Sequence, residues 1–299
     1  MCPPPGGRSL WPAAGVLRPV IAVKPWQATM TRSARGGGWA ASRLRLAAQP
    51  RCLSLAVTFL TSVPLPVRGE VASRDLWGSM GWYPLVGLGL GAAAWGLFAG
   101  ASALLPPLVA AALVVLVVEA FTRGLHLDGL MDTCDGYFSG AGREGALEIM
   151  KDSRAGAMGV AGAILVIVVK TAALGALSPA EAAAPLLAGW AAARTLPTLD
   201  VFLFPYAREA GTGHGFTRER SPGVLALALG WLAAAGVAAA AASPDWWGAL
   251  LIVAGALLVP LLLQAAVAKR LGGLTGDVYG MGIELAEAAA LVIGCALLR

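Results

Sequence analysis

Residues 104–136 read LLPPLVAAALVVLVVEAFTRGLHLDGLMDTCDG, an apolar run that ends at Phe121 and is followed at once by His126, Asp128, Asp132 and Asp135. The apolar run suits the hydrocarbon core of a bilayer, about 30 Å thick and crossed by roughly 20 helical residues. The acids behind it obey a different logic. If residues 128–135 are helical, Asp128, Asp132 and Asp135 follow i, i+4, i+7 spacing and share one face within an arc of roughly 60°. Three anions so placed repel one another, and helix packing gives no reason to collect them. A divalent cation does, because Mg²⁺ takes oxygen ligands and is commonly held by one or two carboxylates plus substrate phosphates. The plainer alternative is a solvated loop in which each Asp favours a turn or caps a helix.

Composition sets the frame. The chain of 299 residues is 58% hydrophobic and 13% charged, with mean hydropathy +0.72, far more apolar than an ordinary soluble domain. The expected fold is all-α, a polytopic integral membrane bundle of about seven transmembrane helices, near 85–100, 104–122, 157–177, 182–204, 223–242, 247–268 and 281–298. The run CLSLAVTFLTSVPLP at 52–66 is short and ends in Pro64 and Pro66, so an interfacial or re-entrant helix is expected there. Gly87, Gly89 and Gly91 open the first confident span and suit close helix packing. Cys2, Cys52, Cys134 and Cys295 form no CxxC pair and imply neither a disulfide framework nor a zinc site.

The net charge of +5 is unevenly spread, because residues 1–69 hold nine of the 22 basic side chains and no acid. The excess belongs to that segment, so pI 9.3 is no argument for nucleic acid. Residues 1–48 read as a basic low-complexity extension, disordered or upstream of a misassigned start, ahead of a membrane-embedded domain over 49–299. Following the spans, segments 67–84, 123–156, 205–222 and 269–280 emerge together and carry nearly all the basic loop residues. By the positive-inside rule these active-site loops face the cytoplasm, from a multi-pass protein of the cell (inner) membrane.

Candidate site residues gather on that face. In REGALEIMKDSRAGAMG, residues 143–159, one short helix is expected to carry Glu148 with Asp152 and Lys151 with Arg154. There Lys151 and Arg154 suit the non-bridging oxygens of a phosphate, although a salt-bridged surface helix explains the same spacing. Lys170 and Arg194 lie inside spans, where charge is costly, and Arg194 is read as functional. Arg208 flanks a Gly-rich stretch containing His214, a weak phosphate-cradling pattern without a P-loop GKS or GKT. Asp277, Glu284 and Glu287 surround the Gly-rich turns before the last span.

These stretches, HLDGLMDTCDG, EIMKDSR, FPYAR at 204–208 and GGLTGDVYG at 272–280, resemble the cobalamin synthase family in order and spacing from about Leu53 onward. The resemblance implies a membrane enzyme, dependent on Mg²⁺, whose partners are the lipid bilayer and two small molecules, with self-association left open. Its reaction is attack of α-ribazole, or its 5′-phosphate, on the diphosphate of adenosylcobinamide-GDP, giving adenosylcobalamin, or its 5′-phosphate, and GMP. The positions matching its motifs are His126, Asp128, Asp132, Asp135, Asp152, Ser153, Arg154 and Asp277. Departures are Cys134 where Ala is usual, Lys151 where Arg is commoner, and AGAMG over 155–159. The residue chemistry agrees with this reaction. Asp128, Asp132 and Asp135 suit the metal, Lys151 and Arg154 the diphosphate, and His126 is the candidate general base by type.

Two other classes compete. A CDP-alcohol phosphotransferase carries DGxxAR followed by GxxxDxxxD, whereas Asp128 and Gly129 here lack the following Ala-Arg. A transporter would carry its acids near the bilayer midplane on broken helices, and Asp200 is the Asp found within a span.

Overall fold

The computed structural model describes residues 49–67, 69–208, 220–242 and 246–297. The extension expected over 1–48 and the Gly-rich stretch with His214 lie outside the described residues. In order, the helices are α1 (Gln49–Leu60), α2 (Ser73–Met80), α3 (Tyr83–Ser102), α4 (Pro107–Phe121), α5 (Leu125–Phe138), α6 (Arg143–Ile149), α7 (Ala157–Gly175), α8 (Pro179–Ala184), a π-helical turn (Pro185–Gly189), α9 (Trp190–Leu203), α10 (Pro222–Ala241), α11 (Trp246–Leu271) and α12 (Gly276–Leu297). No strand occurs among the described residues, only a single parallel bridge between Tyr206 and Leu274.

Helices α3, α7, α10, α11 and α12 are long and apolar enough to cross a membrane, and α4 with α5 adds a sixth if that bent pair is one broken span. The sequence count of about seven is therefore approximate. The run over 182–204 folds as α8, the π-turn and α9, and nearly all of it is buried. The short run at 52–66 forms α1, 12 residues, whose Cys52, Ala56 and Leu60 bury one face, consistent with a helix too short to span.

Helix α12 is the central post, with 61% of its apolar window buried against 22–39% for the other spans. It packs on α5, α7, α9 and α11. Helix α3 packs on the π-turn and α9 through Gly87 and Gly91, where a Cβ would meet the Trp190 and Leu186 carbonyl oxygens at 2.4 and 2.0 Å. Gly89 faces open space, so the expected packing role falls on two of the three glycines.

The turn from α4 into α5 places the site. Arg123 and Gly124 both take left-handed backbone, at φ 60° and 62°, and α5 leaves at 89° to α4. It therefore runs across the end of the bundle rather than through it. Left-handed backbone costs a non-glycine residue about 1–2 kcal/mol. The Arg123 guanidinium offsets part of that by donating to the Thr58 and Phe59 carbonyls, both at 3.2 Å, at the end of α1.

Candidate active site

Helix α5 is helical from Leu125 to Phe138, so Asp128, Asp132 and Asp135 do share one side of it. The first two line a cleft of about 310 Å³ together with Met131, Lys151, Asp152, Ser153, Arg154 and Ala155. The second wall is not the helix expected there. Helix α6 stops at Ile149, and Lys151 to Arg154 form a loop between Met150 and the start of α7. Glu148 consequently pairs with Lys151, at 2.5 Å, rather than sharing a helical face with Asp152. Arg154 grips Asp152 through Nε at 3.0 Å and Nη2 at 2.6 Å while remaining 87% exposed at the cleft. That grip holds the Asp152 carboxyl down at about 2.

Asp132 has the opposite environment. Partial burial first, then the neighbouring charges of Asp128, Asp277 and Asp135, push its carboxyl up to about 7, with Arg208 opposing them. Asp277 enters from the first turn of α12, where Gly129 lets the two helices close: a Cβ there would lie 2.7 Å from the Asp277 carbonyl oxygen. Its Oδ2 accepts from Arg208 Nη2 at 2.9 Å and from Thr275 Oγ1 at 3.1 Å. Arg208 is held nearby because Ala207 N donates to Leu274 O and Leu274 N to Pro205 O, at 2.8 and 2.9 Å. Arg143 ties in the remaining segment by donating to Leu271 O at 2.8 Å and Ala207 O at 3.0 Å. Three loop segments that are distant in sequence are thus joined beside the cleft.

Three expected site residues are placed elsewhere. Asp135 is outside the cleft lining, and its two oxygens accept from the backbone N–H groups of Gly156, at 2.7 Å, and Gly159, at 2.8 Å. His126 points away from the acids, as an offset of two residues on a helix dictates. It is 3% exposed, and neither ring nitrogen has a hydrogen-bond partner among the described residues. A general base must reach the proton that it takes, and the cleft does not admit this imidazole.

Arg194 is likewise remote from the cleft, 1% exposed and paired with Glu287. It belongs to a buried ion cluster in which Lys170 Nζ lies 2.9 Å from Glu119, 2.8 Å from Glu284 and 2.6 Å from Glu287. Sequence reading flagged four of these five residues singly and missed Glu119. The available signal was a lone acid within the apolar run of α4.

A divalent ion requires hard oxygen donors with free lone pairs. Asp128 and Asp132 supply them, since neither side chain accepts a hydrogen bond among the described residues, and two cations stand across the cleft for a phosphate. The donor chemistry fits Mg²⁺ held jointly with substrate. The acids whose oxygens converge most tightly, within 4.8 Å, are instead Glu119, Glu284 and Glu287, and the Lys170 ammonium already occupies their centre. With Lys170 among them, these acids form an ion cluster rather than a vacant metal site.

Residues 52–295 match the family model described as cobalamin-5-phosphate synthase. The chain belongs to that family. Among its curated relatives, the adenosylcobinamide-GDP ribazoletransferase of Desulfitobacterium hafniense is 40% identical over 255 residues, covering 79% of this chain and 93% of the relative. The enzymes of the same name from Brevibacillus brevis and Pseudomonas aeruginosa are each 37% identical, over 80% and 81% of this chain and 95% and 96% of their own. No solved structure matches. Neither the CDP-alcohol phosphotransferase reading nor the transporter reading gains support from these matches.

Proposed function

We propose that this cobalamin-5-phosphate synthase family member joins adenosylcobinamide-GDP to α-ribazole, or α-ribazole 5′-phosphate, yielding adenosylcobalamin, or its 5′-phosphate, and GMP. The observation that carries the reading is one cleft lined by two carboxylates that accept no hydrogen bond among the described residues and by the side chains of Lys151 and Arg154. That combination suits a diphosphate handled with a metal ion, and the family relationship supplies the substrate. Asp128 and Asp132 would hold Mg²⁺, which when bound neutralises charge on the diphosphate and on the departing GMP.

The chain's own groups do the rest. Lys151 and Arg154 bind non-bridging oxygens, with Arg154 exchanging its hold on Asp152 for the phosphate. Ser153, on the same loop, offers a hydroxyl to the same oxygens. The attacking ribose hydroxyl must lose its proton as the new P–O bond forms. Asp277, beside the cleft rather than in its lining, is the candidate acceptor of that proton, because its charge acts on Asp132 from α12 and its Oδ1 has no hydrogen-bond partner among the described residues. Arg208 steadies Asp277 rather than contacting phosphate directly. The excess of basic loop residues supports a cytoplasmic position for this end of the bundle, where nucleotide substrates are present.

The test is purified protein in lipid with adenosylcobinamide-GDP, α-ribazole and Mg²⁺, following GMP and corrinoid product. Formation of both, abolished by EDTA, supports the reaction and its metal dependence. Folded protein that makes neither product overturns the reading.

A further inference from the structure

Asp135 sits one helical turn beyond Asp132 and in phase with it, which on spacing alone makes it a third metal ligand. Its surroundings say otherwise. Helix α7 begins with Gly156 at its N-cap, a residue with no side chain to cap the free N–H groups of the first turn. The Asp135 carboxylate, arriving from α5, takes that place: Oδ2 accepts from Gly156 N and Oδ1 from Gly159 N. Charge-assisted bonds to the positive end of a helix are among the stronger ones that a carboxylate can make. The fit leaves no slack. A Cβ at Gly156 or at Gly159 would collide with the Asp135 carboxylate, and one at Gly159 would also lie 2.9 Å from the Met131 carbonyl oxygen, so glycine at both positions leaves the carboxylate its place.

The same contact has a consequence for the cleft. Gly156 directly follows the loop carrying Lys151, Ser153 and Arg154, and Asp135 shares its helix with Asp128 and Asp132. The two walls of the cleft are therefore pinned to each other at this point. We infer that Asp135 is a positioning residue, which caps α7 across the helix–helix contact and thereby fixes the phosphate-binding loop against the metal-binding carboxylates, and that it does not ligate the metal. This rests on the reading of the cleft as an Mg²⁺ and diphosphate site.

The experiment compares Asp135→Asn, Gly159→Ala and Asp132→Asn in full-length protein in nanodiscs. Three readouts are taken: Mn²⁺ affinity by EPR, backbone amide exchange over 156–160, and steady-state kinetics. In Asp135→Asn one acceptor becomes a donor facing a backbone N–H. Exchange over 156–160 should rise at least about 10-fold, Mn²⁺ affinity should stay within about threefold, and kcat should fall on the order of 100-fold. Gly159→Ala attacks the contact from the other side and should reproduce that pattern. Asp132→Asn should show the converse, lost Mn²⁺ affinity with unchanged exchange. The inference is overturned if Asp135→Asn loses Mn²⁺ as Asp132→Asn does, or if exchange over 156–160 is unaltered. Unaltered protein that binds no Mn²⁺ would strike at the Mg²⁺ reading instead, and the exchange rates would still decide whether the clamp exists.

Discussion

Asp128 and Asp132 stand one helical turn apart, and the field of their neighbours decides how they behave. Because Asp132 holds its proton up to about pH 7, protons compete with a metal ion for this carboxylate near neutrality. The deprotonated form binds metal, so the half-saturating Mg²⁺ concentration should climb as pH falls below 7, by up to about 10-fold per unit. Titrating Mg²⁺ against GMP release between pH 6 and 8 checks this, and a flat profile would show that Asp132 is not the group competing. For stability the sign follows from a raised carboxyl. In metal-free protein Asp132 favours folding below its ordinary carboxylate range, and that contribution is lost as pH rises through about 7. Asp132→Asn should lower turnover more than about 100-fold without lowering the thermal unfolding temperature in detergent. Near-normal activity in that variant would remove the shared metal face. These acids were legible in the sequence because helical period alone puts them on one side. His126 and Asp135 were not, since a period cannot tell which neighbouring element waits on each side of the helix.

At the scale of elements, Glu119, Lys170, Arg194, Glu284 and Glu287 fall into one cluster that draws together α4, α7, α9 and α12. Each ion taken singly is costly in hydrocarbon, but paired in this way the charges oppose one another and fix the helices' relative register. Lys170→Met leaves the buried Glu284 and Glu287 and the partly buried Glu119 with Arg194 as the remaining cation of the cluster. It should destabilise the protein by about 3–5 kcal/mol, the cost of breaking a buried pair, as read from unfolding of purified protein in detergent. A transition unchanged from that of the unaltered protein would mean that the cluster does not hold the bundle. Sequence reading noted Lys170, Arg194, Glu284 and Glu287 but could not pair them, because each cation lies at least 51 residues from its partners. The early end of α6 was hidden for a related reason. The loop after it is shaped by Arg154 gripping Asp152 and by the cap that Asp135 supplies, neither of which is local helix propensity.

For the whole molecule, hydropathy carried the fold class directly, since runs of about 20 apolar residues leave few alternatives to a helical bundle in lipid. The path of those runs was less legible. Helix α5 turns aside at Arg123 and Gly124, and the chain from Pro179 to Leu203 is interrupted by a π-turn, so counting apolar runs overstates the number of straight spans. What the charge distribution adds is a direction. The cleft and the 143–144 segment lie at the end rich in Lys and Arg, and the turn before α8 lies at the other. In a chain with its native cysteines replaced, a cysteine at Glu144, whose side chain is 85% exposed, should react with a membrane-impermeant maleimide only after permeabilisation. One at the exposed Ala180 should react in intact spheroplasts. The reverse pattern would put Lys151 and Arg154 outside the cell, away from the nucleotide-linked substrate, and the proposed reaction could not use cytosolic adenosylcobinamide-GDP.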